Sequence, residues 1–189
     1  MEKALAMEKI GACDVDGLYA LMERDFPSSE RPPKFGVWMN LKREVYDARY
    51  LLENGRRVGY VVSNPGNGNG FALISFYAIE PDLRGKGYGE RFLGMALELL
   101  EGQDVLVEVD DPSRAKSETE KLTRERRIKF YEKCGFSLVP GVKCKIFGVW
   151  MLLMHWGKRK LNAKEAMHGI YLKQFKIKSA LRNIAVIQE

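Results

Sequence analysis

The chain has 189 residues, of which 46% are hydrophobic and 30% are charged, with a formal charge of +6. These proportions fit one soluble domain. No apolar run reaches the roughly 20 residues that a membrane span requires, and the first residues lack the apolar run of a signal peptide. Three scattered cysteines, Cys13, Cys134 and Cys144, argue against a disulfide framework or a metal site, so we expect a cytoplasmic protein that binds no membrane and no metal.

The first third of the chain predicts a strand, two helices and a proline-rich loop. We expect a short strand over residues 3–10, followed by a helix that Asp14 caps and that buries one apolar face. The segment Phe26–Lys34 contains three prolines, so it is predicted to be a loop. A second helix is expected over Val37–Ala48.

The middle of the chain predicts a strand–helix–strand unit. The strand Val58–Val62 precedes the glycine- and asparagine-rich turn Asn64–Gly70, which indicates a hairpin into the strand Phe71–Ile79. That strand is apolar throughout, so we expect both of its faces to be covered. The helix after it is expected to end near Gly102 and to lead into a parallel strand over Val105–Val109.

The last third predicts a long helix, two strands and a terminal helix. A charged helix is expected from about residue 116 to residue 134, followed by antiparallel strands over Phe136–Val139 and Phe147–Met154. The residues Asn162 and Glu165 have the spacing of a capping box, which indicates the start of a last helix.

These elements predict a single α/β (α+β) domain over residues 1–156, with a mixed, mainly antiparallel sheet flanked by helices. Residues 157–189 are predicted to form a basic helical extension, which has eight lysines and arginines against two glutamates. A basic tail could contact nucleic acid. Its basic and aromatic residues do not alternate as in a groove for single strands, so the sequence favours a solvated helix face over a nucleic-acid partner.

The turn between the apolar strand and the next helix has the chemistry of a pyrophosphate site. In chain order it consists of Arg84, Gly85, Lys86, Gly87, Tyr88 and Gly89. Glycines let the backbone approach a ligand closely, and the N–H groups and dipole at a helix start favour anions. The side chains of Arg84 and Lys86 add two full positive charges.

Two common phosphate motifs fit this turn poorly. The Walker loop requires Gly-x-x-x-x-Gly-Lys-Ser/Thr, which is absent from the sequence. The dinucleotide fingerprint Gly-x-Gly-x-x-Gly fits Gly85 and Gly87 but meets Glu90 at its third glycine. Asp110 does lie where a ribose-binding acid would fall, but predicted antiparallel strands on both sides leave no room for a doubly wound sheet.

The arrangement resembles the GNAT superfamily of N-acetyltransferases, whose pyrophosphate motif is Arg/Gln-x-x-Gly-x-Gly/Ala. The segment Arg84–Gly89 matches this motif, and the preceding Tyr77–Leu83 looks like the strand end that precedes it in the family. The segment Phe130–Phe136 is similar to the second family signature, Tyr-x-x-x-Gly-Phe, about 45 residues later. The resemblance covers roughly residues 58–154 and implies transfer of an acetyl group from acetyl-CoA to a primary amine of a small molecule or peptide.

The resemblance also implies roles for individual residues. The backbone at Ala78 and Ile79 would hold the pantetheine arm, and the amides of Gly85–Gly89 would bind the pyrophosphate. Tyr131 would be the general acid that protonates the departing thiolate of coenzyme A. The amine would attack the thioester directly, so no covalent intermediate is expected on Cys134, which sits at a helix C-terminus, the wrong end of the helix dipole to stabilise a thiolate.

The general base is less clear from the resemblance. Family members often carry a glutamate on the strand Phe71–Ile79, which has no acid here, so the nearest candidate is Glu108 on the next strand. Asp110 lies two residues further on the same face, and either acid could instead pair with arginines of residues 124–127. Arg124 itself stands where many members have asparagine, so a cofactor contact there is lost or becomes cationic.

The acceptor pocket is expected from the loop Phe26–Lys34, the helix after it and the 140–147 connection, none of which carries a substrate motif. Three alternatives remain open on the sequence alone. The protein could bind acetyl-CoA as a sensor without turnover, it could bind nucleic acid through its basic tail, and it could form a homodimer.

Overall fold

The computed structural model describes residues 4–66, 68–176 and 178–188. The strands in the described residues are β1 Leu5–Lys9, β2 Asp47–Glu53, β3 Arg56–Asn64, β4 Phe71–Ile79, β5 Asp104–Asp110, β6 Ser137–Ile146, β7 Val149–Trp156 and β8 Ile184–Gln188. The α-helices are α1 Val15–Asp25, α2 Lys34–Lys42, α3 Tyr88–Leu99, α4 Glu118–Lys133 and α5 Ala163–Phe175.

Residue contacts divide the chain into two compact units. The first holds the described residues up to Pro65 together with Ile74–Leu99, and the second holds Gly66–Leu73 with the described residues from Leu100 onward. The strands form a mixed sheet that is mainly antiparallel and has one parallel pair. The predicted α/β fold class is therefore confirmed.

The first unit has the strand order β1-β2-β3-β4, with β2 antiparallel to both β1 and β3. Its core lies between these strands and the helices α1 and α2. From α1, Leu18 and Met22 are fully buried, and they belong to the same apolar cluster as Tyr60 on β3 and Phe76 on β4. The spacing of Leu18 and Met22, one helical turn apart, explains why this face of α1 faces the sheet.

The predicted helix over Val37–Ala48 is wrong in its second half. The helix α2 stops before Glu44, which has a φ of 53°, a left-handed conformation that does not continue a helix. The N–H of Val45 then bonds back to the carbonyl of Asn40 at 2.9 Å. The chain leaves in extended form as β2, because pairing with strands on both sides outweighs the local helix preference.

The second unit has the strand order β5-β7-β6-β8, in which β7 is antiparallel to β5 and β6. The predicted 140–147 connection is also wrong, because β6 runs without interruption through most of it. A register shift between Leu138 and Lys143 lets the strand continue. The actual turn is short and uses Phe147 and Gly148, both with positive φ.

The C-terminal segment contains a helix and a strand. The predicted cap of α5 is present, since the side chain of Asn162 accepts a hydrogen bond from the backbone N–H of Glu165 at 3.2 Å. Met167 and Ile170 of α5 are fully buried in one cluster with residues of β5 and β7, and β8 pairs with β6. A domain boundary at 156 stays a prediction. No helix in the described residues is long and apolar enough to cross a membrane.

Candidate functional site

The glycine-rich turn has the backbone conformation that an anion site requires. A short 3-10 helix, Pro81–Leu83, follows β4, and α3 starts directly after Gly87. The φ angles of Gly85 and Gly87 are +75° and +84°, which residues with a Cβ rarely adopt. A Cβ added at either glycine would meet no atom within 4 Å, so the space beside this backbone is open to a ligand.

Two tyrosines fix the first turn of α3 within the first unit. The hydroxyl of Tyr77 on β4 donates to the carbonyl of Gly89 at 2.7 Å. The buried Tyr88 donates from its hydroxyl to Glu53 at 2.6 Å, and its ring lies parallel to that of Phe92. These contacts orient the N–H groups that open the helix before any ligand arrives.

The side chain of Arg84 braces the turn. Its Nε donates to the carbonyl of Ile79 at 2.9 Å, and a terminal nitrogen donates to Asp25 at 3.0 Å. Asp25 is itself buried, with 4% of its side chain exposed, and also pairs with Arg24 at 2.7 Å. The sequence predicted Arg84 as a cation for the pyrophosphate. In the structure its guanidinium is hydrogen-bonded to the end of β4 and to Asp25. The other predicted cation, Lys86, is exposed.

The brace continues into a wider ion-pair network. Glu80, directly after β4, pairs with Arg24 of α1 and with Arg57 of β3, the latter at 3.1 Å. These charges lie far apart in the sequence, and no sequence motif joins them. Together they hold the end of α1, the strand β3 and the start of the turn in one arrangement.

Gly59, near the start of β3, lies against the backbone at the end of β4. A Cβ on Gly59 would lie 2.3 Å from the carbonyl oxygen of Ala78, a distance that only glycine allows. Ala78 and Ile79 are both buried. Their predicted contact with a pantetheine arm stays a prediction.

Tyr131 lies in the last turn of α4, where its hydroxyl has the properties of a proton donor. The ring is buried and packs edge-to-face against Phe130 and Phe136, with centroid distances of 5.1 and 5.3 Å. Burial raises the pKa of the Tyr131 hydroxyl to about 12, although the nearby Arg127 opposes the shift. No other described residue hydrogen-bonds to this hydroxyl, which therefore carries its proton at neutral pH.

Glu108 on β5 is engaged by a tyrosine and not by an arginine. The hydroxyl of Tyr171 on α5 lies 2.8 and 3.0 Å from the two carboxylate oxygens. Loss of hydration raises the pKa of the half-buried Glu108 to about 7, and the hydrogen bond from Tyr171 counteracts the rise. Among the described residues, the predicted pairing with an arginine occurs at Asp110, which binds Arg127 at 2.7 Å.

The remaining predicted positions have mainly structural contacts. Arg124 donates to the carbonyl of Asp111 at 2.7 Å and to Glu120 at 2.6 Å, so a cofactor contact there stays a prediction. Cys134 is the C-cap residue of α4, as expected. Within the described part of the chain, no group of three or more histidine, cysteine or acidic side chains could hold a metal ion.

The loop Phe26–Lys34 is folded back on itself by Arg31. Its Nε donates to the carbonyl of Phe26 at 3.0 Å, and its guanidinium lies 5.3 Å from the ring centre of Tyr19 and pairs with Glu23. Only 11% of the Arg31 side chain is exposed. The loop therefore has a defined shape next to α2.

The family model of the acetyltransferase (GNAT) family matches residues 15–136 of this chain. That range includes both sequence signatures, the turn after β4 and the end of α4. No sequence among the curated proteins matches the chain.

Solved structures of low sequence identity share the fold. An acetyltransferase of the GNAT family from Bacteroides thetaiotaomicron has a TM-score of 0.71 at 22% identity, covering 90% of this chain and 97% of that chain. The ribosomal-protein-S18-alanine N-acetyltransferase from Escherichia coli has a TM-score of 0.58 at 18% identity, covering 84% and 98%. The aminoglycoside acetyltransferase AAC(6')-Ib, in complex with coenzyme A, has a TM-score of 0.60 at 19% identity, covering 82% and 95%.

Proposed function

The chain belongs to the acetyltransferase (GNAT) family and is an acyltransferase that uses acetyl-CoA, and we propose that its acceptor is a primary amine that attacks the thioester directly. The amine belongs to a small molecule or to a peptide. Both classes occur among proteins of this fold, one named for a ribosomal protein's alanine and another for aminoglycosides.

The observation that carries the proposal is the turn before α3. Gly85 and Gly87 have positive φ and open space beside them, and their N–H groups together with those of Tyr88 and Gly89 open a helix. Oriented N–H groups of this kind bind phosphate oxygens. The pyrophosphate of acetyl-CoA fits this backbone, whose shape Arg84 maintains.

Bound acetyl-CoA supplies an activated acyl group, and the protein supplies proton transfer. The amine nitrogen forms a bond to the acyl carbon, and the carbon–sulfur bond breaks. We assign the proton released by the amine to Glu108, because a carboxyl with a pKa of about 7 is partly ionised at neutral pH and can accept it. We assign the proton taken up by sulfur to Tyr131, whose hydroxyl is protonated and makes no hydrogen bond to another described residue.

The direct test is release of the coenzyme A thiol, measured with purified protein, acetyl-CoA and a panel of polyamines, aminoglycosides and peptides with free N-termini. We expect thiol release that depends on the amine and acetylated product of matching mass. Tight acetyl-CoA binding with no release for any amine would support a sensor and would contradict the proposal.

A further inference from the structure

Helix α5 lies outside residues 15–136, the range of the family match, yet it reaches Glu108. The hydroxyl of Tyr171 contacts both carboxylate oxygens, at 2.8 and 3.0 Å. Tyr171 is 5% exposed, so water does not compete freely for this contact. A residue of the C-terminal segment therefore donates a hydrogen bond to the acid on β5.

The other two acids on this face of β5 have ion-pair partners of their own, Asp104 with Arg159 at 3.5 Å and Asp110 with Arg127 at 2.7 Å. Burial, aided by the charge of Glu108, raises the pKa of the Cys144 thiol on β6 to about 12, so this thiol is neutral at physiological pH. On β7 the residue paired with Glu108 is the fully buried Leu153. Among the described residues, Tyr171 is the one hydrogen-bond donor to the carboxylate, and no cation pairs with it.

The Tyr171 hydroxyl is held in place by the packing of α5. The ring lies parallel to that of Phe175, with a centroid distance of 6.0 Å and an interplanar angle of 7°. One turn earlier, Met167 is fully buried in the same core. At the start of the helix, Asn162 provides a side-chain cap. The donor is thus a rigid group on a packed helix.

We propose that Tyr171 is a positioning residue, whose hydroxyl orients the carboxylate of Glu108 and stabilises its ionised form as the proton acceptor. The inference rests on the proposed function, in which Glu108 takes the proton of the amine. It makes the C-terminal segment part of the catalytic apparatus, although that segment is not part of the family match.

Removal of the hydroxyl should have a pH-dependent effect. Without it the carboxylate of Glu108 has no hydrogen-bond donor among the described residues, so its ionised form becomes less favourable. A hydrogen bond to an ionised group contributes an amount equivalent to a pKa change of about 1 to 2 units. The variant should therefore be weakest at low pH and recover when the pH is high enough to ionise the acid.

The experiment is the pH profile of kcat/KM for Tyr171→Phe, which keeps the ring on Phe175 and removes only the hydroxyl. We expect the acidic limb to move up by about one pH unit, giving roughly a tenfold loss below neutral pH, and the two profiles to converge near pH 9. Ile170→Val removes one methyl group from the same helix and should leave the limb in place. A profile of Tyr171→Phe that superimposes on the parent profile would overturn the proposal.

A second measurement does not depend on turnover. The carboxyl ¹³C shift of labelled Glu108 should titrate at higher pH in Tyr171→Phe than in the parent, with Glu108→Gln identifying the signal. An unchanged titration would overturn the proposal even if activity falls. An upward shift in a protein that acetylates no amine would support the contact and contradict the proposed function, so the two failures can be told apart. In the Glu108→Gln background, Tyr171→Phe should cause no further change in the kcat/KM profile.

Discussion

The turn Arg84–Gly89 and the Glu108–Tyr171 pair are built on opposite physical principles. The turn presents backbone N–H groups at an exposed surface, and its shape depends on two glycines at positive φ and on ion pairs around Asp25. The pair presents one side-chain oxygen to one carboxylate in surroundings without a counter-ion. The first site is robust to most side-chain changes, and the second depends on a single hydroxyl.

This difference determines what each site responds to. Ligand binding at an exposed backbone site is weakened by substitutions that change the backbone conformation. It is also weakened by salt, because salt screens the ion pairs that hold the turn. The ionisation of a half-buried carboxyl depends on its hydration, on its hydrogen-bond donor and on pH. Substitutions that change only one of these properties therefore separate the contributions of the two regions.

The largest effect should come from Gly87→Val. A β-branched residue resists the φ of +84° that Gly87 adopts, and its side chain would fill the open space where we place the pyrophosphate. Acetyl-CoA binding measured by calorimetry should be lost. Gly94→Val is the matched control, because Gly94 lies within α3 and its added Cβ also meets no atom within 4 Å. Retained affinity in Gly87→Val would show that the turn is not the pyrophosphate site.

Tyr131→Phe should lower turnover by a factor of about 10² to 10⁴, the usual contribution of a general acid. Acetyl-CoA affinity should hardly change, because the ring and its contacts with Phe130 and Phe136 remain. The loss should shrink at high pH, where the thiolate of coenzyme A leaves without a proton. Rates equal to the parent across the pH range, with chemistry rate-limiting, would remove Tyr131 from the mechanism.

Glu108→Gln should change how stability depends on pH. Folding raises the pKa of Glu108 from 4.5 to about 7, so the ionised form is disfavoured in the folded protein. Relative to Glu108→Gln, the parent should lose about 3 kcal/mol of unfolding free energy as the pH rises between these values. Urea unfolding at several pH values measures the difference. Glu98→Gln, on an exposed part of α3, should give a curve parallel to the parent, and a parallel curve for Glu108→Gln would contradict the pKa shift.

Local sequence patterns predicted the turn and most of the helices and strands correctly. The turn could be predicted because its chemistry depends on glycines and charges at fixed spacing within six residues. The apolar strand Phe71–Ile79 and the cap at Asn162 were also correct, since periodicity and capping are local properties. The fold class follows from the order of these elements.

Features that depend on residues far apart in sequence could not be predicted. The strand β2 was missed, and its first two residues were predicted as helix, because its pairing with β1 and β3 cannot be seen locally. The contact of Tyr171 with Glu108 spans 63 residues, and the bond of Arg84 to Asp25 spans 59. In a single sequence such pairs leave no spacing pattern.

The smallest effect should come from Asp25→Asn, which removes the charge that holds Arg84 but keeps the size of the side chain. Asp25 is buried but the Arg84 side chain is 55% exposed, so solvent screens this pair from the arginine's side and we expect it to contribute about 1 kcal/mol. Its bond to the carbonyl of Ile79 also remains. Acetyl-CoA affinity should therefore fall by about fivefold or less at low salt, and the parent should approach the variant as salt screens the ion pair. Asp16→Asn, which removes an exposed partner of Lys34, should change neither the acetyl-CoA affinity nor its dependence on salt. A loss of more than 100-fold in Asp25→Asn would show that the ion pairs, and not the glycines, determine the shape of the turn.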